Sequence, residues 1–199
     1  MTMLFIPTTN TLIGANEIAI RYLYLRNTFS WTASEYGTLL SIRQIVHAIG
    51  IMVIVKILKE KLKFRDEVIG VIGAISELSD AIIFIFINES WMLFAITLFG
   101  ILSSGPMTVE RPIINKHIQQ NEQGKIYSVI TIMDMFIFVV VMPFSNYVYS
   151  RTLSWFPSCF MLISVSGALI QLLCYFEVIR VTKKETLRVE RLTQECPKD

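Results

Sequence analysis

Apolar runs about as long as a lipid bilayer is thick recur along this 199-residue chain, and no other feature constrains its fold as strongly. Crossing ~30 Å of hydrocarbon takes about 20 residues of helix. Such runs lie near 2–22, 38–58, 67–87, 91–109, 126–148 and 155–178. A soluble core could bury one of them. Six in one chain have one economical reading, an all-α membrane protein whose residues 1–178 form a six-transmembrane-helix bundle. Composition agrees, with 53% hydrophobic and 17% charged residues and a mean hydropathy of +0.56, well off the soluble average. Outside the spans the chief remainder is a charged tail at 179–199, expected in the cytosol as a solvated helix or loose end near anionic lipid. No room is left for a nucleic-acid or nucleotide-binding domain. Cys159, Cys174 and Cys196 fit no metal spacing and read as small apolar fillers and a tail thiol. No metal and no cofactor are expected.

Two spans are interrupted. The first carries Thr8-Thr9-Asn10-Thr11 in its middle, with Asn16 and Glu17 further on. The fourth is broken near its end by Ser103-Ser104-Gly105-Pro106 and is expected to leave the membrane at Glu110-Arg111-Pro112. Interrupted spans are the sequence pointer to a transporter's cavity, although threonine and asparagine also bond between helices with no substrate role. Gly100 and Ser104, like Gly70 and Ala74, have small-xxx-small spacing, which close helix packing explains.

Basic residues in the connections set orientation. The connection 56–65, the loop 110–125 and the tail together hold fourteen of the 18 Lys and Arg residues. The other side keeps Arg21, Arg26 and Arg151, and Arg43 stays within a span. Both termini are therefore expected in the cytosol.

Arg43, Glu77, Asp80 and Asp134 fall at membrane depth. A charge at the bilayer centre costs at least ~2.5–3.5 kcal/mol, so such groups face the bundle interior and mark a pathway or a partner. Arg43 and His47 share one helix face, as do Glu77 and Asp80. Counting depth along two antiparallel spans makes an Arg43–Asp80 pair with a His47–Glu77 pair geometrically possible. One fixed cation then faces three carboxyls, which cannot all be ionised cheaply in a dry site. A carboxyl that takes up and releases a proton is what proton-coupled transport requires. The same groups could equally serve as neutral or paired residues that hold helices together. Asn10, Glu17, Arg43, His47, Glu77, Asp80 and Asp134 are the candidates for a substrate and proton pathway.

A membrane enzyme is the rival reading. Asp80 and Asp134 are the two aspartates that a diacid intramembrane protease could use, but neither sits in Gly-x-Gly-Asp and no HExxH occurs. No enzyme is expected. A regulatory or sorting subunit that keeps the bundle without transporting is a further alternative.

Gly14-Ala15-Asn16-Glu17, then Ser30-Trp31-Thr32 with Glu35 and Gly37, and the run from Arg111 to Ser128 together resemble the proton-coupled folate transporter-like family of the major facilitator superfamily. The likeness runs along essentially the whole chain and covers that family's C-terminal six spans. It implies half of a major facilitator fold, in which the first, second, fourth and fifth spans border a central cavity. It also implies alternating access between two six-span halves, driven by a proton gradient. Arg111 matches the family arginine at the cytoplasmic end of its span, followed by Asn115-Lys116. Glu122-Gln123-Gly124 matches a loop-to-helix turn, where Glu122 would cap the helix and Gly124 allow tight re-entry. Arg111, Lys116, Glu122 and Gly124 are the cytoplasmic gate candidates. Leu12 stands where the best-known member has histidine, so the likeness implies the wider group rather than folate as cargo. The expected cargo is a small organic anion or vitamin-like solute, with protons.

Six spans cannot enclose an alternating-access cavity by themselves. The chain is expected to be a C-terminal half, with membrane lipids and either the missing N-terminal six-span half or a second copy as partners. The plasma membrane or an endosomal or lysosomal membrane is the expected location.

Overall fold

The computed structural model describes residues 5–118 and 122–195; Cys196 and Lys198 of the tail, and Gln119–Asn121 within the family-like run, lie outside them. The described residues are helical with short connections: α1 (Phe5–Phe29), α2 (Ala33–Val53), α3 (Asp66–Ile85), α4 (Met92–Phe99), α5 (Gly105–His117), α6 (Gln123–Thr152) and α7 (Met161–Glu195). By length and composition α2, α3, α6 and α7 can each cross a membrane, and the bent pair α4–α5 is apolar enough to make a fifth span if its two helices cross together. α1 is long enough at 25 residues but too polar to be counted with them. The helix nonetheless runs unbroken through Thr8-Thr9-Asn10-Thr11. The Thr8 and Thr9 hydroxyls donate to the carbonyls of Phe5 and Ile6 at 2.9 and 2.8 Å, so these side chains bond along the helix instead of interrupting it.

Local sequence explains most helix ends. Ser30, with φ 55°, closes α1. Thr32 then caps α2: the Glu35 amide donates to the Thr32 hydroxyl, and the Thr32 amide donates to the Glu35 carboxylate at 2.7 Å. At its far end α2 widens into π-helical turns over Ile54–Lys61, and Lys63, at φ 52°, reverses the chain into α3. The expected break in the fourth span is present and begins at Gly100, where five residues form a 3₁₀ turn before α5. Pro106 sits in the first turn of α5, where its missing N–H costs nothing. α4 and α5 meet at a bend of 53°. α5 continues to His117, past the expected exit at Glu110. α7 continues past residue 178 without a break.

Two apolar clusters show how the helices stack. In one, Tyr24 and Phe84, near the ends of α1 and α3, pack with Leu39, Leu93 and Phe160 near the starts of α2, α4 and α7. In the other, Ile6 and Ile69 at helix starts pack with Ile54 and Ile113 at helix ends and with Val178 in the middle of α7. Successive rods therefore run antiparallel. Around this apolar core, burial is in part inverted relative to a soluble protein. Arg21, Asn16, Asp66, Glu67 and Gln171 are buried, while Ile132, Phe136 and Val139 of α6 are about 70% exposed. That inversion is what hydrocarbon solvent selects.

Close backbone approach holds the bend in place. Gly73 of α3 lies against Gly105 and Pro106, and Gly50 of α2 lies on the Ile101 carbonyl. Gly70 faces the Tyr175 ring and Ser104 packs beside Gly50, so the small-residue spacing is used for packing. A methyl group at Gly73 would overlap Pro106 and stand 2.9 Å from the Gly105 Cα. Gly73→Ala should therefore destabilise by about 1–3 kcal/mol. Gly37, with open space around it, should accept alanine with no loss. Thermal unfolding in detergent checks this, and equal melting of the two variants would contradict the packing.

Candidate functional site

α1 supplies the polar wall of a cavity of about 470 Å³ between α1, α2, α3, α5 and α6. Asn10, Glu17, Arg43, His47, Glu77 and Asp134 all border it, together with Ser103, Ser104 and Glu110. Asp80 lies just behind, in a smaller recess shared with Arg21, Arg43 and His47. The seven pathway candidates thus fall in one region.

Their pairing differs from expectation. Arg43 does approach Asp80, at 3.9 Å, but its nearer partner is Glu17, at 2.9 Å. Glu17 also accepts from Arg21, one helical turn on, at 3.0 Å, and Arg21 reaches Asp80 at 3.7 Å. Two arginines and two carboxylates thereby alternate in a closed ring joining α1, α2 and α3. Arg21, counted with the side opposite the cytosol, has a side chain 7% exposed that lies over the Phe84 ring, 4.7 Å from its centre. It is buried because α1 runs on to Phe29, seven residues beyond the expected end of the first span. His47 does not pair with Glu77. Its Nε2 lies 3.3 Å from the Ser103 hydroxyl, which the 3₁₀ turn brings to α2. Glu77 Oε2 is buried with no hydrogen-bond partner.

The rest of the wall is tied by uncharged donors. Gln171 of α7 donates to Asn10 Oδ1 at 2.5 Å, and Asn10 donates through Nδ2 to Glu110 at 2.9 Å. Thr11 donates to Asp134 at 2.9 Å, joining α1 to α6. Glu110 and Gln171 went unnoticed in the sequence, Glu110 because it stood at the expected membrane exit. A glutamine in the middle of an apolar span was the available signal for Gln171.

The gate candidates separate. Lys116, at the end of α5, pairs with Asp66 at 2.6 Å, and Lys59 of the α2 extension pairs with the same carboxylate at 2.8 Å. Asp66 is buried at the start of α3, so it links three elements without the Gly-x-x-x-Asp-Arg pattern. Arg111 is exposed. Two expectations are corrected. Glu122 occupies the N-cap position of α6 but makes no side-chain cap bond. Gly124 lies inside the first turn of α6 without a positive φ, and open space surrounds it. Tyr127 instead fastens the start of α6, donating to Asn115 at 2.8 Å. Among the described residues no group of His, Cys, Asp and Glu could hold a metal ion.

Removing one member of a buried charge set leaves its partners uncompensated, at a cost of about 3–5 kcal/mol. Arg21→Gln should lower the melting temperature well below that of Arg26→Gln, since Arg26 is exposed. Adding Glu17→Gln to Arg21→Gln rebalances the charge and should recover part of the loss. Melting of Arg21→Gln at the wild-type temperature would refute the ring.

The model of the Major Facilitator Superfamily matches residues 5–196. The lysosomal proton-coupled steroid conjugate and bile acid symporter SLC46A3 of Gallus gallus is 26% identical over 113 residues, which are 56% of this chain and 24% of that protein. Solute carrier family 46 member 2 of Mus musculus is 30% identical over 136 residues, 64% of this chain and 28% of that protein. Each match thus takes in well under half of the relative. No solved structure matches. The family model extends over nearly every residue that builds the bundle and its charged cavity, and the chain belongs to the Major Facilitator Superfamily, as its sequence resemblance implied.

Proposed function

We propose that this chain forms one six-span half of an alternating-access carrier that moves a small organic anion together with protons. The observation that carries the reading is Arg43. A guanidinium is held inside a membrane bundle, on the wall of a cavity that carboxyls also border. A fixed cation at such a place recognises an anionic group by charge-assisted bonds. Carboxyls beside it can carry protons, and a bundle of this family supplies the moving walls. That one relative is a proton-coupled symporter of steroid conjugates and bile acids supports both the proton and the anionic, largely apolar cargo.

A second six-span unit completes the carrier, either an N-terminal half or another copy of this chain. In this reading α1, α2, α4–α5 and α6 border the shared cavity, as the family resemblance implies. The Lys59–Asp66–Lys116 cluster, with Arg111, Glu122 and Gly124 near it in the chain, forms the cytoplasmic gate region. Both termini face the cytosol, in the plasma membrane or an endosomal or lysosomal membrane.

Uptake into vesicles tests the proposal, with radiolabelled taurocholate as a bile-acid probe and an inward proton gradient. Wild-type uptake should rise with the gradient. Arg43→Gln should cut it by about 10- to 100-fold, the equivalent of one lost bond to a charged group. Asp134→Asn, which changes a carboxylate on the cavity wall, should lower uptake. Uptake indifferent to the gradient and to all these changes would favour a non-transporting subunit.

Orientation is tested separately by cysteine labelling. Single cysteines placed at Lys63 and Lys125 should react with the same membrane-impermeant reagent from the same side. Labelling from opposite sides would overturn the topology.

A further inference from the structure

We infer that Glu77 is the group that exchanges the coupling proton and that Arg43 senses its state. The inference rests on the proton-coupled reading above. It begins from the five acidic side chains at the cavity and in the recess behind it. Glu17 is held by Arg21 and Arg43 at 3.0 and 2.9 Å. Asp80 is the other acid in their ring, at 3.7 and 3.9 Å. Glu110 accepts from Asn10 and Asp134 from Thr11, each at 2.9 Å. Glu77 differs: its Oε2 is buried without a hydrogen-bond partner.

The charges around Glu77 explain why that matters. Facing it are Glu17 of α1, Arg43 and His47 of α2, Asp80 on its own helix, Glu110 of α5, Asp134 of α6 and Tyr175 of α7. The two arginines are already balanced by Glu17 and Asp80. An ionised Glu77 is therefore a surplus negative charge, and a buried charge without a partner is strongly disfavoured. The cation that acts on Glu77 is Arg43, which is shared and can leave Glu17 without stranding it, because Arg21 still holds Glu17.

The exchange balances simply. The O–H bond of the Glu77 carboxyl breaks, the proton passes to water in the cavity, and the carboxylate draws the Arg43 guanidinium toward itself. Re-protonation releases Arg43, which is then available to an anionic cargo. Proton and anion consequently load together, because an ionised Glu77 and the cargo compete for one cation. That competition gives symport its sign.

Difference infrared spectroscopy on the full chain in liposomes reads this directly. Between about pH 5 and pH 8 the wild type should show a protonated-carboxyl C=O band that bleaches. Glu77→Gln should lose that band, whereas Asp134→Asn and Glu110→Gln should keep it. Glu77→Asp should retain a band at shifted frequency, which keeps the assignment testable should the glutamine variant fold poorly. A titrating band that survives in Glu77→Gln, fails to shift in Glu77→Asp, or is absent from the wild type overturns the assignment. Taurocholate uptake separates the two claims. Wild-type uptake that ignores the proton gradient sinks the proton-coupled reading. A gradient-driven wild type with equally gradient-driven Glu77→Gln sinks only the role of Glu77. The expected result is that Glu77→Gln loses accumulation against the gradient but keeps exchange of labelled for unlabelled taurocholate.

Discussion

Four charges that share partners in a ring, Arg21, Glu17, Arg43 and Asp80, are the interaction on which the rest of this structure depends. Each of them alone would be costly within a bilayer, and attraction offsets desolvation only when geometry is good and partners are complete. The ring meets that condition by using each charge twice. It joins α1, α2 and α3, and α1 touches α2 little elsewhere. It also explains how so polar a helix as α1 can lie in the bundle: its polar groups are directed at partners on α2, α3, α5, α6 and α7.

The rest of the cavity wall needs the bend between α4 and α5. The 3₁₀ turn at Gly100–Ser104 places Ser103 beside His47 and aims α5 so that Glu110 meets Asn10. The bend in turn needs Gly50, Gly73 and Gly105, because backbone approaches this close leave no room for side chains. Packing and polar satisfaction are therefore one problem here. Small residues set helix distances, and those distances decide which donors reach which carboxyls.

Much of this could be read from the chain and some could not. Apolar runs located the helices, because hydrocarbon imposes both length and composition. Intramembrane charges marked the cavity, because burying them without purpose is expensive; hence Arg43, Glu77, Asp80 and Asp134 lie together. The approach of Arg43 to Asp80 followed from counting depth along antiparallel helices. The His47–Glu77 pair failed under the same count, because level alone does not fix rotation about the helix axis. Arg21 and Glu110 were missed for another reason. Both lie near a span's end, where a charge at the lipid surface and a charge turned inward look alike in one sequence. Glu122 and Gly124 illustrate the reverse case: residue types suited to a helix start are present, yet Glu122 makes no cap bond and Gly124 needs no special backbone angle.

A ring in which every charge has two partners cannot work by exposing one of them. Pulling a member out of the ring leaves each neighbour with one partner fewer, so movement has to exchange partners rather than abandon them. The doubled contacts make such exchange possible: Glu17 can lose Arg43 and keep Arg21, and Asp80 can lose one arginine and keep the other. Among the carboxyls bordering the cavity, Glu77 Oε2 is the oxygen that is buried without a hydrogen bond. It sits next to the cation that can most readily change hands. Shared partners of this kind are what a bundle needs if its walls are to rock while its charges stay covered.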